Sequence, residues 1–291
     1  MPARVALACC TLWPEGSGDH AGLVEALDER GASADWVPWD GPPADWSAYD
    51  LVLVRETWNY PPRLADFLHW VDAVGASTRL VNPPAVVRWN HHKRYLLDLA
   101  AAGVPTVPTT VVAAGAPAPE AVHAAAGPGA VVVKPAVGIG GDGAIRGGPG
   151  DPAVIAHLRD LAAAGDVLVQ PYLAGIETAG ETSVVMFGGR VSHVVAKVPA
   201  PGEFRIHEHR GGSYARVEPT PAQLAVAHAA YEAARALTAD DLLYARADLA
   251  PGDDGRPLLM ELELIEPSLY LHTVPEATGF VADLVVARLA G

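Results

Sequence analysis

Residues 243–265, LYARADLAPGDDGRPLLMELELI, read as two short strands joined by a PGDDG turn. Period-two alternation sets Arg246 and Asp248 on one face of the first strand, and Glu261 and Glu263 on one face of its antiparallel partner. The other face is expected to carry Tyr244, Leu249, Leu262 and Leu264. Three carboxylates and a guanidinium thus share one side of an apolar ribbon, and Glu266 follows in the same run (MELELIEPSLYLH, 260–272). Clustered acids repel one another unless a cation sits between them, and oxygen-only ligands suit a hard ion, Mg²⁺ or Mn²⁺. A solvated strand face that alternates for solubility is the competing reading, and the ribbon alone does not decide.

Upstream, VVVKPAVGIGGDGAIR (131–146) ends a valine strand at Lys134 and continues through Gly138, Gly140, Gly141 and Gly143. Such a loop can set backbone N–H groups against a polyphosphate, with the lysine as point charge. It matches neither a Walker loop nor a dinucleotide fingerprint, and a flexible glycine hairpin reads equally well. In VLVQPYLAG (167–175) a buried strand runs into Gln170, Tyr172 and Leu173, where the backbone can meet an adenine edge. Glu181 opens the next strand, where its carboxylate can accept from ribose hydroxyls, though alone the stretch reads as an ordinary strand and loop. That strand turns at Gly188 and Gly189 into a hairpin.

The first ninety residues alternate strand and helix. RVALACCTLW (4–13), ADWVPW (34–39) and YDLVLVR (49–55) are strands, and LADFLHWVDAVG (64–75) is an amphipathic helix. DHAGLVEALDERG (19–31) is another, with Asp19 as its N-cap and Gly31 as its stop. This order implies a parallel sheet with ligands at the carboxyl ends of its strands. VRETWNYPP (54–62) lies at that edge, where Arg55, Thr57, Trp58 and Tyr60 can cradle a small amino acid, or the two aromatics can cap the core. NHHKRYLLDLAAAG (90–103) predicts a helix carrying Lys93 and closed by Gly103; residues 221–237 predict another. FRIHEHRGGSYARV (204–217) offers Arg205, His207, His209 and Arg210 beside a Gly-Gly pair. The histidines read as surface groups on a loop, since no Cys or third His stands near enough for zinc.

A chain of 291 residues, half of them hydrophobic and 19% charged, folds as one elaborate α/β unit or as two to three packed subdomains. Its formal net charge of −14, with no block of Lys and Arg, argues against nucleic acid or an anionic membrane as main partner. The uncharged span 99–119 is long enough to cross a bilayer, but its four prolines would leave backbone groups unsatisfied in lipid. Adjacent Cys9 and Cys10 are a poor start for a disulfide framework and point to a reducing, cytoplasmic compartment. Nothing in the composition speaks against a homo-oligomer.

Taken in order, Lys93 in NHHK, VVVKP, the glycine loop, VQPYL, GETS, YARADL and MELELIEP resemble the ATP-grasp superfamily, and within it the glutathione synthetase-like and RimK-like ligases. The resemblance implies an N-terminal open parallel-sheet (pre-ATP-grasp) domain, 1–89, followed by an ATP-grasp fold of two α+β subdomains, 90–173 and 174–291. It also implies ATP with Mg²⁺ or Mn²⁺: Lys93 and Lys134 on the phosphates, residues 138–143 over them, Gln170, Tyr172 and Leu173 at adenine, and Glu181 at ribose. Asp248, Glu261 and Glu263 would hold the metal, and Arg246 the transferred phosphoryl. Glu263 departs from the family, which commonly has Asn there. An Arg-Gly-Gly segment reaches the acyl acceptor site in these ligases, so Arg210 is the first candidate for a substrate carboxylate or acyl phosphate, with Arg205 and His207 beside it. The implied chemistry phosphorylates a carboxyl or related acyl oxygen, after which a nitrogen nucleophile displaces phosphate. The glycine loop and the segment around 202–214 are the candidate lids. RETWNYP and RLVNPPAVVRWNHHKRYLLDLAAAGVP are similar to the branch containing D-cycloserine synthetase, the O-ureido-D-serine cyclo-ligase, in which ring closure is intramolecular. An intermolecular amino-acid or dipeptide ligase and a small-molecule kinase are the alternatives.

Overall fold

The computed structural model describes residues 2–20, 22–116, 119–126, 129–200 and 211–290. Its first unit is a parallel sheet. Strand β1 (Ala3–Cys9) lies between β2 (Ala32–Pro38) and β3 (Leu51–Glu56), and β4 (Arg79–Val81) adds to β3, giving the order β2-β1-β3-β4. The interior of β1 and all of β3 are buried, which fits their apolar runs, residues 5–9 and 51–54; β3 ends on the buried charged residues Arg55 and Glu56. Helices α1 (Leu23–Asp28) and α2 (Leu64–Ser77) complete the unit. The order of succession reverses at β1, with β2 added on one side and β3 on the other, so a crevice opens at the carboxyl ends of the parallel β1 and β3. The loops that leave there carry Trp13 and Asp19 from β1, and Trp58 and Tyr60 from β3.

Two expectations for this region are corrected. Asp19 does not cap α1: the N-cap is Gly22, and Asp19 sits in a separate 3₁₀ turn, Gly18–His20. Its carboxylate instead accepts from the Leu269 N–H at 2.7 Å, tying the start of the chain to its end. In place of one helix over 90–103, Asn90 ends a preceding helix, α3 (Pro84–Asn90), and the expected one begins only at Tyr95, as α4 (Tyr95–Ala101). Lys93 lies in the turn between them, because its N–H is drawn to the Ala136 carbonyl at 2.8 Å.

The second sheet is antiparallel, in the order β5-β8-β6-β7. It contains β5 (Thr110–Val112), β6 (Val131–Pro135), β7 (Ile145–Gly147) and β8 (Val167–Pro171). Helices α5 (Pro119–Ala126) and α6 (Pro152–Ala164) flank it, the latter capped by Asp151 through the Ala153 N–H.

After the short helix α7 (Ile176–Ala179) comes the third sheet, β11-β10-β9-β12-β13. Its strands are β9 (Glu181–Phe187), β10 (Arg190–Val198), β11 (Ser213–Arg216), β12 (Tyr244–Pro251) and β13 (Pro257–Glu263). Gly188 and Gly189, at φ 54° and 78°, make the β9–β10 turn that only residues free in the left-handed region form readily. Helix α8 (Pro221–Thr238), with a Thr220–Gln223 capping box, packs its apolar stripe under this sheet. The last helix, α9 (Glu276–Leu289), returns to the first unit, where Val281 and Val285 share a core with Leu23 and Leu27. Neither α5 nor α9 was expected from the sequence.

The β12–β13 ribbon forms as read, with Arg246 opposite Glu263 and Asp248 opposite Glu261. Tyr244 is the exception. It shares parity with Arg246 and Asp248, and its ring packs away from the core that holds Leu249, Leu262 and Leu264. The outer edge of β13 is closed partly by the backbone of residues 105–107, which brackets Leu259, and partly by side chains. Asn90 bonds Leu262 O at 2.8 Å and Leu264 N at 2.9 Å, and the Tyr95 hydroxyl accepts from Leu262 N.

Candidate active site

Between the second and third sheets, and reaching the crevice of the first, lies a cavity of about 1060 Å³. Its inner end is apolar. Val107, Leu173 and Ile176 pack there with Met260, and Gln170 and Tyr172 line the same end. The Gln170 amide donates to Thr109 Oγ1 at 2.9 Å. The Tyr172 N–H is committed to Ala130 O, and its ring lies under the Arg146 guanidinium, 3.6 Å from the centroid.

The middle of the cavity is densely charged. Lys134, at the end of β6, contacts Glu261 at 2.7 Å. Lys93 donates to Gly138 O at 2.6 Å and stands 3.8 Å from the same carboxylate. Burial pushes the Glu261 carboxyl up, but Lys134 and Lys93 overcome it and hold the group well below its ordinary value. Gly138, Gly140 and Gly141 line this part, the last two with positive φ. Gly143 does not reach the cavity; it packs on Pro135, and its carbonyl meets His157 at 2.7 Å.

Arg246 grips Asp248 with two nitrogens, at 2.9 and 2.8 Å, and also bonds Glu263 and the Ser268 carbonyl. Ser183 donates to Asp248 at 2.5 Å. Burial raises the Asp248 carboxyl, and Arg246 with Lys197 reverses the sign, leaving it lowered. Glu263 goes the other way: burial raises its carboxyl most, Arg246 opposes that, and Asp248 and Glu261 raise it further, so it stays above its ordinary value. Glu181 is buried against Lys197, which also lies 3.5 Å from Asp248. Burial pushes the Glu181 carboxyl up to about 7 despite that lysine.

Lys197 is the charged residue that sequence reasoning missed. Counting back from the Gly188–Gly189 turn pairs Glu181 with residue 196, but a bulge between Val191 and His193 slides the register so that Glu181 faces Lys197.

Three carboxylates on one cavity wall offer only hard oxygen donors, which is the chemistry a Mg²⁺ or Mn²⁺ ion requires. The donor set therefore fits. Among the described residues, however, no three acidic, His or Cys side chains converge tightly enough to enclose an ion: Glu261 is drawn to Lys134, while Asp248 and Glu263 are both drawn to Arg246.

The substrate-side residues divide. Trp58 and Tyr60 line the cavity, and the Trp58 indole N–H donates to Glu266 O at 2.8 Å. Arg55 does not. It is fully buried, bonded to His20 at 2.9 Å and Pro267 O at 2.6 Å, and stacked on Tyr244. Thr57 is likewise fully buried and does not line the cavity. Arg205, His207, His209 and Arg210 lie outside the described residues.

Residues 5–82 match the N-terminal domain of D-cycloserine synthetase DcsG, and residues 99–253 match the ATP-grasp domain of prokaryotic glutathione synthetase. The chain belongs to the ATP-grasp ligases. Cycloserine biosynthesis protein DcsG of Streptomyces lavendulae is 38% identical to this ligase over 280 residues, spanning 93% of this chain and 94% of that protein. The crystal structure of D-cycloserine synthetase DcsG superposes with a TM-score of 0.89 at 33% identity, covering 99% of this chain and all of that one. A RimK-domain ATP-grasp protein from Sphaerobacter thermophilus shares the fold, with a TM-score of 0.68 at 19% identity over 97% of this chain and 99% of its own. The ligase is thus an enzyme of ATP-dependent C–N bond formation, and the cavity between its sheets is the candidate active site. Among the described residues no helix is long and apolar enough to cross a membrane.

Proposed function

We propose that this ligase closes a ring within a small amino acid-like substrate, in the manner of a D-cycloserine synthetase acting on O-ureido-D-serine. The observation that carries the reading is the first unit. It is this part of the chain, residues 5–82, that resembles D-cycloserine synthetase specifically, and its Trp58 and Tyr60 form the outer wall of the nucleotide-sized cavity. The division at residues 90 and 174 and a cytoplasmic setting belong to the same proposal; Cys9 and Cys10 are free and buried, as a reducing compartment would leave them.

In this reading the apolar inner end takes adenine beside Leu173, and Glu181 meets the ribose. Lys93, Lys134 and the N–H groups of Gly138, Gly140 and Gly141 take the phosphates. Lys197 joins them from β10. A triphosphate displaces Glu261 from its lysines, since phosphate oxygens are the better partners for two ammonium groups. That frees the carboxylate to act with Asp248 and Glu263 as metal ligands, and the bound ion would neutralise charge on the phosphoryl oxygens. Arg246, pre-oriented by Asp248 and Ser268, presents its guanidinium where the γ-phosphoryl passes to the acyl oxygen. Arg210, with Arg205 and His207, remains assigned to the acyl side on the sequence alone.

The test is purified ligase with ATP, Mg²⁺ and O-ureido-D-serine, following ADP and analysing products by mass spectrometry. A cyclic product formed one-for-one with ADP supports the proposal. A stable phosphorylated product without ring closure would make the enzyme a kinase, and no ADP formation above the substrate-free rate would remove this substrate.

A further inference from the structure

Three carboxylates that line the cavity are more than nine-tenths buried: Glu181, Asp248 and Glu266, at 6%, 3% and 8% exposure. Two of them face cations, Lys197 and Arg246. Glu266 does not: among the described residues no Lys, Arg or His stands within ion-pair distance, and its side-chain partner is the Tyr60 hydroxyl. The two cations whose fields reach it are committed elsewhere. Lys93 donates to Gly138 O and faces Glu261, while Arg55 is held by His20 and Pro267. A carboxylate accepts about four hydrogen bonds. One phenol leaves most of that capacity unmet, in a place where an unpaired charge is expensive.

We infer that Glu266 binds the ammonium group of the amino-acid substrate, with the Trp58 and Tyr60 rings as walls of that subsite. The inference rests on the proposed amino-acid substrate and names the group that selects it. The indole is fixed beside the carboxylate by its bond to Glu266 O, and Trp13 meets Trp58 edge-on at 5.4 Å. Aromatic faces around a carboxylate suit a cation and disfavour an anion. A substrate carrying –NH₃⁺ supplies the missing positive charge. A counterpart with hydrogen there leaves Glu266 buried without it, so the site discriminates by what goes unpaired.

Glu266→Gln keeps the shape and removes the charge. With O-ureido-D-serine as substrate, the variant is expected to raise KM by at least about tenfold while the KM for ATP stays within about twofold. With 3-(ureidooxy)propanoate, the counterpart lacking the amine, wild type and variant should perform alike. A KM for O-ureido-D-serine unchanged by Glu266→Gln, or an equal loss on both compounds, overturns the assignment. Should wild type not turn over O-ureido-D-serine, the proposed reaction fails separately. Glu266 is then judged by calorimetry with D-serine and 3-hydroxypropanoate in the presence of a non-hydrolysable ATP analogue. D-serine binding that wild type shows and Glu266→Gln loses upholds it. Binding that is indifferent to the amine or to the substitution, or no binding of D-serine by wild type, overturns it.

Discussion

Lys134 Nζ lies 2.7 Å from one oxygen of Glu261, and Lys93 Nζ lies 3.8 Å from the other. In the proposed reading the carboxylate stands where phosphate would bind, with both lysines already drawn to that point. Glu261→Gln would remove one of the proposed metal ligands and at the same time weaken the hold on two cations. Turnover is expected to fall by at least about 100-fold, as loss of a group that acts on transition-state charge does. ATP titrated without divalent ion should bind the variant at least as tightly as wild type. Turnover at the wild-type rate, or metal-free ATP affinity lower than in wild type, would refute the arrangement.

Lys197 sits between Glu181 and Asp248 with its side chain 4% exposed. Replacing it with Met leaves Glu181 buried without its cation and Asp248 with Arg246 alone. Breaking a buried pair in this way costs about 3–5 kcal/mol. Urea unfolding of Lys197→Met should show a loss of that size, and the double variant with Glu181→Gln should recover part of it. A single variant as stable as wild type would mean that the two acids are not held by Lys197.

The contrast between Lys197 and the ribbon shows which information was local. Residues 243–265 were legible because a turn and a period of two lie within one short stretch. So were the glycine loop and the Gly188–Gly189 hairpin. The pairing of Glu181 with Lys197 depends on one extra residue in β10, which no period announces. Lys93 was placed on a helix because no Gly or Pro interrupts residues 90–94; the break comes from Ala136, more than forty positions away. Arg55 was misjudged for a related reason. A cation at the end of a parallel strand can point to ligand or inwards, and its partners His20 and Pro267 are 35 and 212 residues distant.

Asn82 is fully buried at the end of β4 and serves both strands of the ribbon. Its amide donates to Tyr244 O at 3.0 Å and Leu264 O at 2.7 Å, and its oxygen accepts from Leu243 N at 2.8 Å. Asn82→Ala leaves three backbone groups without partners where water does not reach. A loss of about 2–4 kcal/mol is expected by urea unfolding. A cost under about 0.5 kcal/mol, the range of an ordinary surface change, would show that the first sheet is not fastened to the ribbon there.

Glu266 makes the ligand-free enzyme's stability depend on pH. Burial first, and Glu263 second, push its carboxyl from the ordinary 4.5 up to about 8. Between those values the folded enzyme keeps a proton that the unfolded chain gives up. Stability from this group is therefore complete at low pH and declines as pH rises through the window. Glu266→Gln does not titrate, whereas Glu181, raised to about 7, titrates in both proteins and cancels from the comparison. The stability of Glu266→Gln relative to wild type should thus increase from pH 5 to pH 8, by about 2 kcal/mol. Urea midpoints at pH 5, 6.5 and 8 measure it. Parallel curves for the two proteins would mean that Glu266 is ionised throughout, with a cation already beside it.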